Sequence, residues 1–311
     1  MPPTSDVRNA TLVHRRDLDT SHTVFTVRTD SPVQFIAGQW TEMGLPKAGA
    51  GDRGPSGDEF VKDGVVRRAY SICSAPGGET LKFFFNKVEE GQLTRWLWEL
   101  QPGDRLYVDP EARGHFTLDA INTVYSHAHD LHCVDESGED KPDILFVATG
   151  TGLAPFMSIL EYFSRAAVTD KGDGSASASR HGHDDTADVD LPWRQLVLIH
   201  GTRHETLLAC REEIERVASD PRFRVTYIPT LSREPDTSGW SGQRGRVTEV
   251  VRAILRKTGD FERPELDLSR CHAYLCGNAT MIAAVEGELM PHGLVPRWQD
   301  PAGTIHTEVY Y

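Results

Sequence analysis

The segment 149–155 reads Thr-Gly-Thr-Gly-Leu-Ala-Pro, and its residue types suit phosphate binding through the backbone. It follows a short apolar run and precedes a helical pattern, so its amides are expected at a helix N-terminus, where a pyrophosphate is stabilised. It is not a P-loop, because no Gly-Lys-Ser/Thr follows, and Pro155 stands where the dinucleotide fingerprint has a third glycine. Read alone, the segment also fits an ordinary strand–helix turn.

A second chemical segment, 67–71, reads Arg-Arg-Ala-Tyr-Ser at the end of a predicted strand. The guanidinium of Arg68 suits a phosphate, the ring of Tyr70 can lie flat on an aromatic ring system, and Ser71 can donate to a ring nitrogen. The same residues also fit a basic edge strand with a half-buried tyrosine. The turn 91–94, Gly-Gln-Leu-Thr, offers another phosphate contact or an ordinary turn with a helix cap.

The elements that must position these residues change type along the chain. Residues 23–28 alternate apolar and polar side chains, and 81–88 is rich in aromatics, which is typical of strands. Such short runs, separated by turn signals at 37–38 and 76–78, predict a small antiparallel barrel or sandwich. One helix is expected there, capped by Thr94 and ended at 102–104.

From residue 143 onward, buried-strand patterns alternate with helical patterns, which predicts β-α-β units and a parallel sheet. Four strand–helix pairs are expected, at 144–148 with 155–164, 195–200 with 206–218, 222–229 with 248–257, and 272–276 with 278–290. The predicted fold is therefore a two-domain β + α/β chain. An antiparallel β-barrel over 1–140 precedes a Rossmann-like parallel-sheet domain over 141–311.

The charge is concentrated in three stretches of the sequence. The chain has 311 residues and a formal net charge of −13, and the stretches 51–63, 130–143 and 170–190 together carry −11 of it. The acidic balance argues against a nucleic-acid partner. The central apolar run 144–148 is far shorter than the ~20 residues of a membrane span, and no secretory signal is recognisable, so membrane insertion is not expected.

The five cysteines form no Cys-x-x-Cys pair and are predicted to be free thiols in a reducing, cytoplasmic compartment. Cys271 and Cys276 have the spacing that opens an iron–sulfur site, but Ala279 stands at the next ligand position. Histidines cluster in the acidic stretches without fixed spacing, which is typical of solvated loops. No metal site is predicted; the residues weighed for one are His127, His129, His132, Cys133, His181 and His183.

Together and in order, the motifs resemble those of the ferredoxin–NADP reductase family, and of its bacterial flavodoxin/ferredoxin reductase branch in particular. The resemblance spans nearly the whole chain. The matching segments are 35–40 (F-x-x-G-Q-aromatic), 68–71 (R-x-Y-S), 91–94, 149–155 (G-T-G-x-x-P), 232–234 with 245–246, 275–282 (C-G-N-x-x-M-I), and the tail 308–311 (E-x-Y-aromatic).

The resemblance implies an FAD site in the first domain. Arg68 and the 92–94 turn would hold the pyrophosphate, Tyr70 would stack on the isoalloxazine, Ser71 would reach toward N5, and Phe84 would lie near the ribityl or adenine part. In the tail, Tyr310 would cover the flavin and Tyr311 the adenine, although two aromatics can also simply end an edge strand. The implied FAD set is Arg68, Ala69, Tyr70, Ser71, Phe84, Gln92, Leu93, Thr94, Thr151, Tyr310 and Tyr311.

The second nucleotide is expected to be NADP(H), because Arg233 and Arg246 follow sheet strands where a 2′-phosphate would bind and an NADH site would place an acid. Arg203 is expected on the nucleotide phosphates. The implied NADP set is Gly150, Gly152, Thr202, Arg203, Ser232, Arg233, Arg246, Cys276 and Asn278. The hydride-transfer set is Ser71, Cys276, Glu308 and Tyr310.

The resemblance implies an FAD-dependent oxidoreductase that moves a hydride between NADP(H) and flavin N5, and single electrons between flavin and ferredoxin or flavodoxin. The flavin carries the redox chemistry, and the protein stacks, orients and excludes water. Two alternatives remain open at this stage. One is the reductase component of an oxygenase or an NAD(P)H:flavin reductase, and the other is a non-catalytic flavin- or nucleotide-binding sensor.

Overall fold

The computed structural model describes residues 7–46, 61–62, 64–118, 141–169, 191–259 and 264–310. The chain divides into two compact units, Met1–Thr117 with Ala154–Ser158, and Leu118–Leu153 with Ile159–Tyr311. The expected domain boundary at 140/141 adjoins the range 119–140, which lies outside the described residues, and it stays a prediction. Also outside them are all the residues weighed as metal ligands and the terminal residue, namely His127, His129, His132, Cys133, His181, His183 and Tyr311.

The first unit is an antiparallel barrel. Its strands are β1 (Ala10–Asp17), β2 (His22–Thr29), β3 (Trp40–Pro46), β4 (Val61–Lys62), β5 (Val65–Ser71), β6 (Leu81–Asn86) and β7 (Arg105–Val108). They are hydrogen-bonded in the order β4-β5-β3-β7-β1-β2-β6. A bridge between Ile72, which follows β5, and Phe83 on β6 joins β5 to β6, so the six strands from β5 to β6 close into a ring and β4 lies outside it. The predicted barrel is confirmed.

The barrel interior is filled by alternate residues of these strands, as the period-2 pattern requires. Its fully buried side chains include Leu12, Phe25, Met43, Ile72, Phe83 and Leu106. Helix α1 (Gln92–Glu99) adds Leu93 and Leu97 to the same cluster. The helix has Gly91 as its N-cap. The expectation that Thr94 caps it was wrong, because Thr94 lies inside the first turn.

The second unit is a parallel sheet of β8 (Asp143–Thr149), β9 (Gln195–Thr202), β10 (Val225–Leu231), β11 (Gln243–Arg244), β12 (Cys271–Asn278) and β13 (Ile305–Tyr310). Helices α2 (Ala154–Thr169), α3 (Arg211–Ala218), α4 (Val247–Leu255) and α5 (Ala279–Leu289) follow β8, β9, β11 and β12. Apolar residues of the sheet pack against α4 and α5 in one cluster, among them Leu145, Val147, Val197, Ile199, Val251, Ala273, Leu275 and Val285. The predicted strand–helix alternation is confirmed.

The strand order, β11-β10-β9-β8-β12-β13, makes β8 the strand at which the winding reverses. From β8 the chain first builds outward through β9, β10 and β11, and then returns to place β12 on the other side of β8. In open parallel sheets the crevice at such a switch point, beyond the carboxyl ends of the strands, is where ligands bind. The sheet therefore locates a candidate site at the loops that follow β8 and β12.

Two predicted boundaries were wrong for local reasons. Residues 206–218 do not form one helix, because Cys210 has left-handed backbone (φ 56°) and α3 starts only at Arg211. Similarly, Arg224 (φ 51°) ends a short helical turn at Pro221–Phe223, so β10 starts at Val225 rather than at 222. Within the described residues, no helix has the length and apolar content needed to span a membrane.

A buried carboxylate fixes the opposite, amino-terminal edge of the sheet. Asp143 is fully buried, and its Oδ2 accepts hydrogen bonds from Arg194 (2.5 Å), Gln195 (3.1 Å) and the backbone amide of Asp267 (2.6 Å). These groups come from the starts of β8 and β9 and from the segment before β12. Removing one partner of such a buried charge is costly, so the contacts of Asp143 stabilise the starts of the three central strands.

Candidate functional site

Four of the residues predicted to bind FAD, Arg68 to Ser71, lie at the end of β5. Ser71 pairs in register with Trp40 and is buried, Ala69 is exposed and pairs with Glu42, and Arg68 is half-buried. An Arg68 Nη1 donates to the backbone carbonyl of Arg67 at 2.8 Å, which orients that guanidinium along the strand. The alternation of the strand gives the two neighbouring arginines different environments.

Arg67 lies on the buried side of β5. Its Nη1 donates to the Tyr107 hydroxyl at 3.1 Å and lies 3.5 Å from Glu42 and 3.7 Å from Asp109. Its guanidinium also stacks on the Tyr107 ring, 4.5 Å from the centroid. Arg67 is thus part of a buried ionic cluster, whereas Arg68 is the arginine on the half-exposed side of the strand.

Tyr70 presents a partly exposed ring and a buried hydroxyl. The ring packs edge-on against Phe85, with centroids 5.4 Å apart. The hydroxyl has no hydrogen-bond partner among the described residues, and its burial raises the pKa of Tyr70. An orphaned buried hydroxyl costs about 1–3 kcal/mol. A planar ligand with a polar group beside this ring would satisfy the hydroxyl, so Tyr70 fits an aromatic cofactor.

The first turn of α1 is a second place where an anion can bind. The N-cap Gly91 has no side chain to accept from the helix amides, so the amides of Gln92 and Leu93 lack a side-chain cap. The Thr94 hydroxyl, which was expected to cap this helix, instead contacts the backbone of Val88. It accepts from the backbone amide of Val88 at 3.0 Å and donates to the Val88 carbonyl at 3.3 Å, closing the loop before the helix.

Phe84 lies on β6 between two core aromatics, Phe83 and Phe85, and alternation places it on the other face of the strand. It is buried, and its ring centroid is 6.4 Å from that of His22. Its assignment to the ribityl or adenine part of a cofactor stays a prediction.

In the second unit, the loops after β8 and β12 contact each other at the switch point. Gly150 has a positive φ of 54°, in the left-handed region that favours glycine. A Cβ on Gly152 would overlap the Cys276 carbonyl and lie 2.8 Å from the Gly277 amide, so only glycine allows this approach. The glycines of 149–155 therefore pack the two loops together, and Thr151 remains half-buried beside them.

Cys276, Glu308 and Tyr310 lie close together at the carboxyl ends of β12 and β13. Strand pairing places Cys276 opposite Glu308, and Asn278 opposite Tyr310. The thiol is fully buried, and burial raises its pKa well above the usual range. The nearby Glu308 raises it further, against the opposing effect of a hydrogen bond with Tyr310. Cys276 therefore stays a neutral thiol, which fits an orienting group and not a nucleophile.

Asn278 has a structural role that sequence reasoning missed. Its Oδ1 accepts from the Met281 amide at 2.9 Å, which caps α5, and its Nδ2 lies 3.5 Å from the Thr149 hydroxyl. The pattern Asn-x-x before a helix is a cap signal that could have predicted this contact. The side chain joins the β12 turn to the end of β8.

Three arginines surround the carboxyl ends of β9, β10 and β11. The turn after β10 is bound to the turn after β9, because the Ser232 amide donates to the Thr202 carbonyl (2.9 Å) and the Arg233 amide to the Arg203 carbonyl (3.0 Å). All three guanidinium groups are exposed and form no ion pair or hydrogen bond with any described residue; they belong to Arg203, Arg233 and Arg246. We call these three residues the arginine cluster; their guanidinium groups are of the kind that binds phosphate.

His200 is a buried titratable residue to which the sequence analysis gave no functional role. It lies on β9, fully buried, with Nδ1 3.3 Å from the Tyr227 hydroxyl. Burial lowers its pKa to about 4, against a smaller effect of the Gly150 backbone. The imidazole is therefore neutral beside the glycine loop and adds no charge to the site.

Comparison with known proteins agrees with this architecture. The family model for the oxidoreductase NAD-binding domain matches residues 146–287. The flavodoxin/ferredoxin–NADP reductase of Buchnera aphidicola is 25% identical over 295 residues, which are 93% of each chain. The solved structure of a ferredoxin NADP+ reductase from Neisseria gonorrhoeae with bound FAD and NADP has a TM-score of 0.67 at 19% identity. It covers 97% of this chain and 98% of that one.

A third relative decides the family. Ferredoxin–NADP reductase B of Sorangium cellulosum is 31% identical over 257 residues, which cover 81% of this chain and 77% of that protein. Identity at this level extends across both units, and the barrel and parallel sheet are those expected from the motifs. The chain belongs to the ferredoxin–NADP reductase family.

Proposed function

We propose that the protein is an FAD-dependent oxidoreductase that passes reducing equivalents between NADP(H) and ferredoxin or flavodoxin. The observation that carries this proposal is the set of three exposed, unpaired guanidinium groups that follow β9, β10 and β11 at the carboxyl edge of the parallel sheet. A neutral or singly charged ligand would leave at least two of these three positive charges without a counter-charge. A ribose 2′-phosphate provides several acceptor oxygens to which arginines can donate in pairs.

The first unit is assigned to FAD. Tyr70 would stack on the flavin and donate its orphaned hydroxyl, Arg68 and the first-turn amides of α1 would hold the pyrophosphate, and Ser71 would reach the flavin edge. When bound, FAD supplies the atom that exchanges a hydride with nicotinamide and the step from two-electron to one-electron transfer. The chain itself supplies stacking, orientation and exclusion of water.

The second unit is assigned to NADP(H). Arg233 and Arg246 would bind the 2′-phosphate, Arg203 the other phosphates, and the 150–152 loop the region next to the nicotinamide. The nearby acid, Glu234, is no obstacle. Its Oε2 accepts from the Glu205 amide at 3.0 Å and lies 3.4 Å from His204, and these contacts hold the pKa of Glu234 below its usual value. The carboxylate of Glu234 is therefore engaged by the turn that follows β9.

The hydride-transfer roles are assigned unit by unit. In the first unit, Ser71 at the end of β5 would orient the flavin; in the second unit, the neutral Cys276 thiol, Glu308 and Tyr310 at the ends of β12 and β13 would orient the nicotinamide. Cytoplasmic location is part of the proposal. The four cysteines of the described residues, Cys73, Cys210, Cys271 and Cys276, are all free and buried, which suits a reducing compartment.

The test is stopped-flow reduction of the FAD-loaded protein by NADPH and by NADH, followed by mixing with oxidised ferredoxin or flavodoxin. We expect NADPH to bleach the flavin absorbance with an apparent affinity at least about tenfold tighter than that of NADH, as charge-assisted hydrogen bonds to a phosphate predict. We expect reduced protein to be reoxidised by one of the two carriers. A flavin that NADPH does not bleach would overturn the proposal.

A variant pair separates the arginine cluster from general charge effects. Arg233→Ala is expected to lose most of the NADPH preference. Arg222→Ala removes an arginine that pairs with Asp220 (2.6 Å) ahead of β10, at the other edge of the sheet, and is expected to keep the preference. An equal loss of NADPH preference in both variants would show that the arginine cluster does not determine that preference.

A further inference from the structure

Arg244 lies in the same sequence region as the free guanidinium groups, but its own side chain is engaged. Arg244 is the last residue of β11, and it pairs in register with Leu231 of β10. Its Nη1 donates to the Glu234 carbonyl at 2.7 Å, and its Nη2 reaches the carbonyls of Pro235 and Trp240 at 3.3 and 3.4 Å. One guanidinium thus donates to three backbone carbonyls of the loop 232–242.

This loop connects the two arginines assigned to the 2′-phosphate. Arg233 is at its start, and Arg246 follows its end. The end is fixed to β10, because the Gly245 amide donates to the Leu231 carbonyl at 2.9 Å and the Thr230 hydroxyl donates to the Gly245 carbonyl at 3.0 Å. Arg244 ties the first half of the loop to this fixed end.

Two further contacts hold the middle of the loop. The Trp240 indole donates to the Gln243 carbonyl at 2.9 Å, and the Arg211 guanidinium lies over the Trp240 ring at 5.1 Å. The loop is otherwise exposed from Ser232 to Ser238, apart from the half-buried Glu234. An exposed segment of this length would sample many conformations without such ties, and ordering it on binding would weaken affinity.

We propose that Arg244 is a positioning residue for NADP(H) selectivity. It holds the loop so that Arg233 and Arg246 converge on a 2′-phosphate, and it does not bind the phosphate itself. The inference rests on the proposed function. Only a planar fork of five donors can serve three carbonyls in this way, because the lysine ammonium is a compact point charge on a flexible stem.

The primary test is calorimetric binding of adenosine 2′,5′-bisphosphate and of 5′-AMP to the FAD-loaded protein and its variants. In Arg244→Ala we expect affinity for the bisphosphate to fall about tenfold, and 5′-AMP binding to change less than about twofold. Arg244→Lys keeps the charge and is expected to recover less than half of the loss in free energy. Steady-state kinetics should show a raised KM for NADPH with kcat retained.

A double-mutant cycle distinguishes positioning from direct contact. If Arg244 acts through its neighbours, Arg244→Ala should change bisphosphate binding less than about twofold in a background that already carries Arg233→Ala and Arg246→Ala. An unchanged tenfold effect in that background overturns the inference, because it identifies Arg244 as a phosphate ligand. Full recovery in Arg244→Lys also overturns it.

Controls keep the outcomes separate. Arg252→Ala removes a half-buried arginine of α4 that pairs with Glu288 at 2.6 Å, and this variant is expected to bind the bisphosphate normally. Thermal unfolding reports whether each variant is folded, and Arg244→Gln replaces Arg244→Ala if the alanine variant is not. A wild-type protein that binds the bisphosphate no better than 5′-AMP contradicts the proposed function. Preference in the wild type with an additive Arg244 effect contradicts only the positioning role.

Discussion

The two units present their candidate nucleotide-binding groups in different ways. In the first unit the groups belong to regular structure, on strand β5 and the first turn of α1, and several already contact the protein, such as Arg68 with a backbone carbonyl and Thr94 with Val88. In the second unit the groups are on loops after parallel strands. There the arginines are exposed and unpaired, and the backbone beneath them is hydrogen-bonded.

The two units therefore position their candidate ligand-binding groups by different means. A barrel strand orients Tyr70 through its pairing with β3, and the buried hydroxyl of Tyr70 has no hydrogen-bond partner among the described residues. The parallel sheet instead brings separate strand ends to one edge and fixes their loops by close backbone contact, as at Gly152 and Cys276. The first site depends on a few oriented side chains, and the second on the positions of whole loops.

The largest expected effect tests the oriented side chain of the first unit. Tyr70→Ala should weaken FAD binding about 100-fold, because both the stacking surface and the hydroxyl contact are lost. Fluorescence titration of FAD into the apoprotein measures it. Tyr70→Phe keeps the ring and should weaken binding about fivefold to tenfold, without lowering the free energy of unfolding of the apoprotein, since the lost hydroxyl has no partner there. Equal FAD affinity in all three proteins would remove Tyr70 from the site.

A smaller effect tests the loop contact of the second unit. Gly152→Ala places a Cβ against the backbone of Cys276 and should lower the free energy of unfolding by about 2 kcal/mol, measured by urea denaturation. Gly287→Ala is the matched control. Gly287 is an exposed position of α5 with nothing within 4 Å of a Cβ, so alanine should raise stability by about 0.5–1 kcal/mol. Similar values for both substitutions would contradict the close loop contact.

The smallest effect concerns the anchoring of β13, which carries Glu308 and Tyr310. His306 stacks on Tyr274 with centroids 4.1 Å apart, and it lies 3.3 Å from His272 and 3.4 Å from Arg297. Burial, which is the largest cause, and the neighbouring His272 and Arg297 together lower the pKa of His306 to about 3.

Because the pKa of His306 is lower in the folded protein, the unfolded chain binds the proton more readily. Its contribution is complete above about pH 6.5 and is lost as the pH falls toward 3. From pH 7.5 to 5.5 the wild type should lose about 1 kcal/mol more than His306→Phe, which keeps the stacking ring. Urea midpoints at several pH values measure this difference, and parallel pH profiles for the two proteins would contradict the assignment.

Features that depend on the local backbone could be predicted from the amino-acid sequence. Apolar runs of five or six residues before helical patterns predicted the parallel sheet, and the glycines of 149–155 predicted a turn at the end of β8, where the structure has one. The alternation of 23–28 predicted a barrel strand, found as β2. These elements are local, since strand and helix periods and positive-φ turns are set by neighbouring residues.

Which polar groups are free to bind a ligand depends on the tertiary structure and could not be predicted from the sequence. Arg67 and Arg68 are adjacent, yet Arg67 is buried with Tyr107, forty positions away. Likewise Arg244 is occupied by loop carbonyls while Arg233 and Arg246 have no side-chain partner among the described residues. Composition cannot separate them, because the partners that occupy a guanidinium come from distant segments that only folding brings within hydrogen-bonding distance.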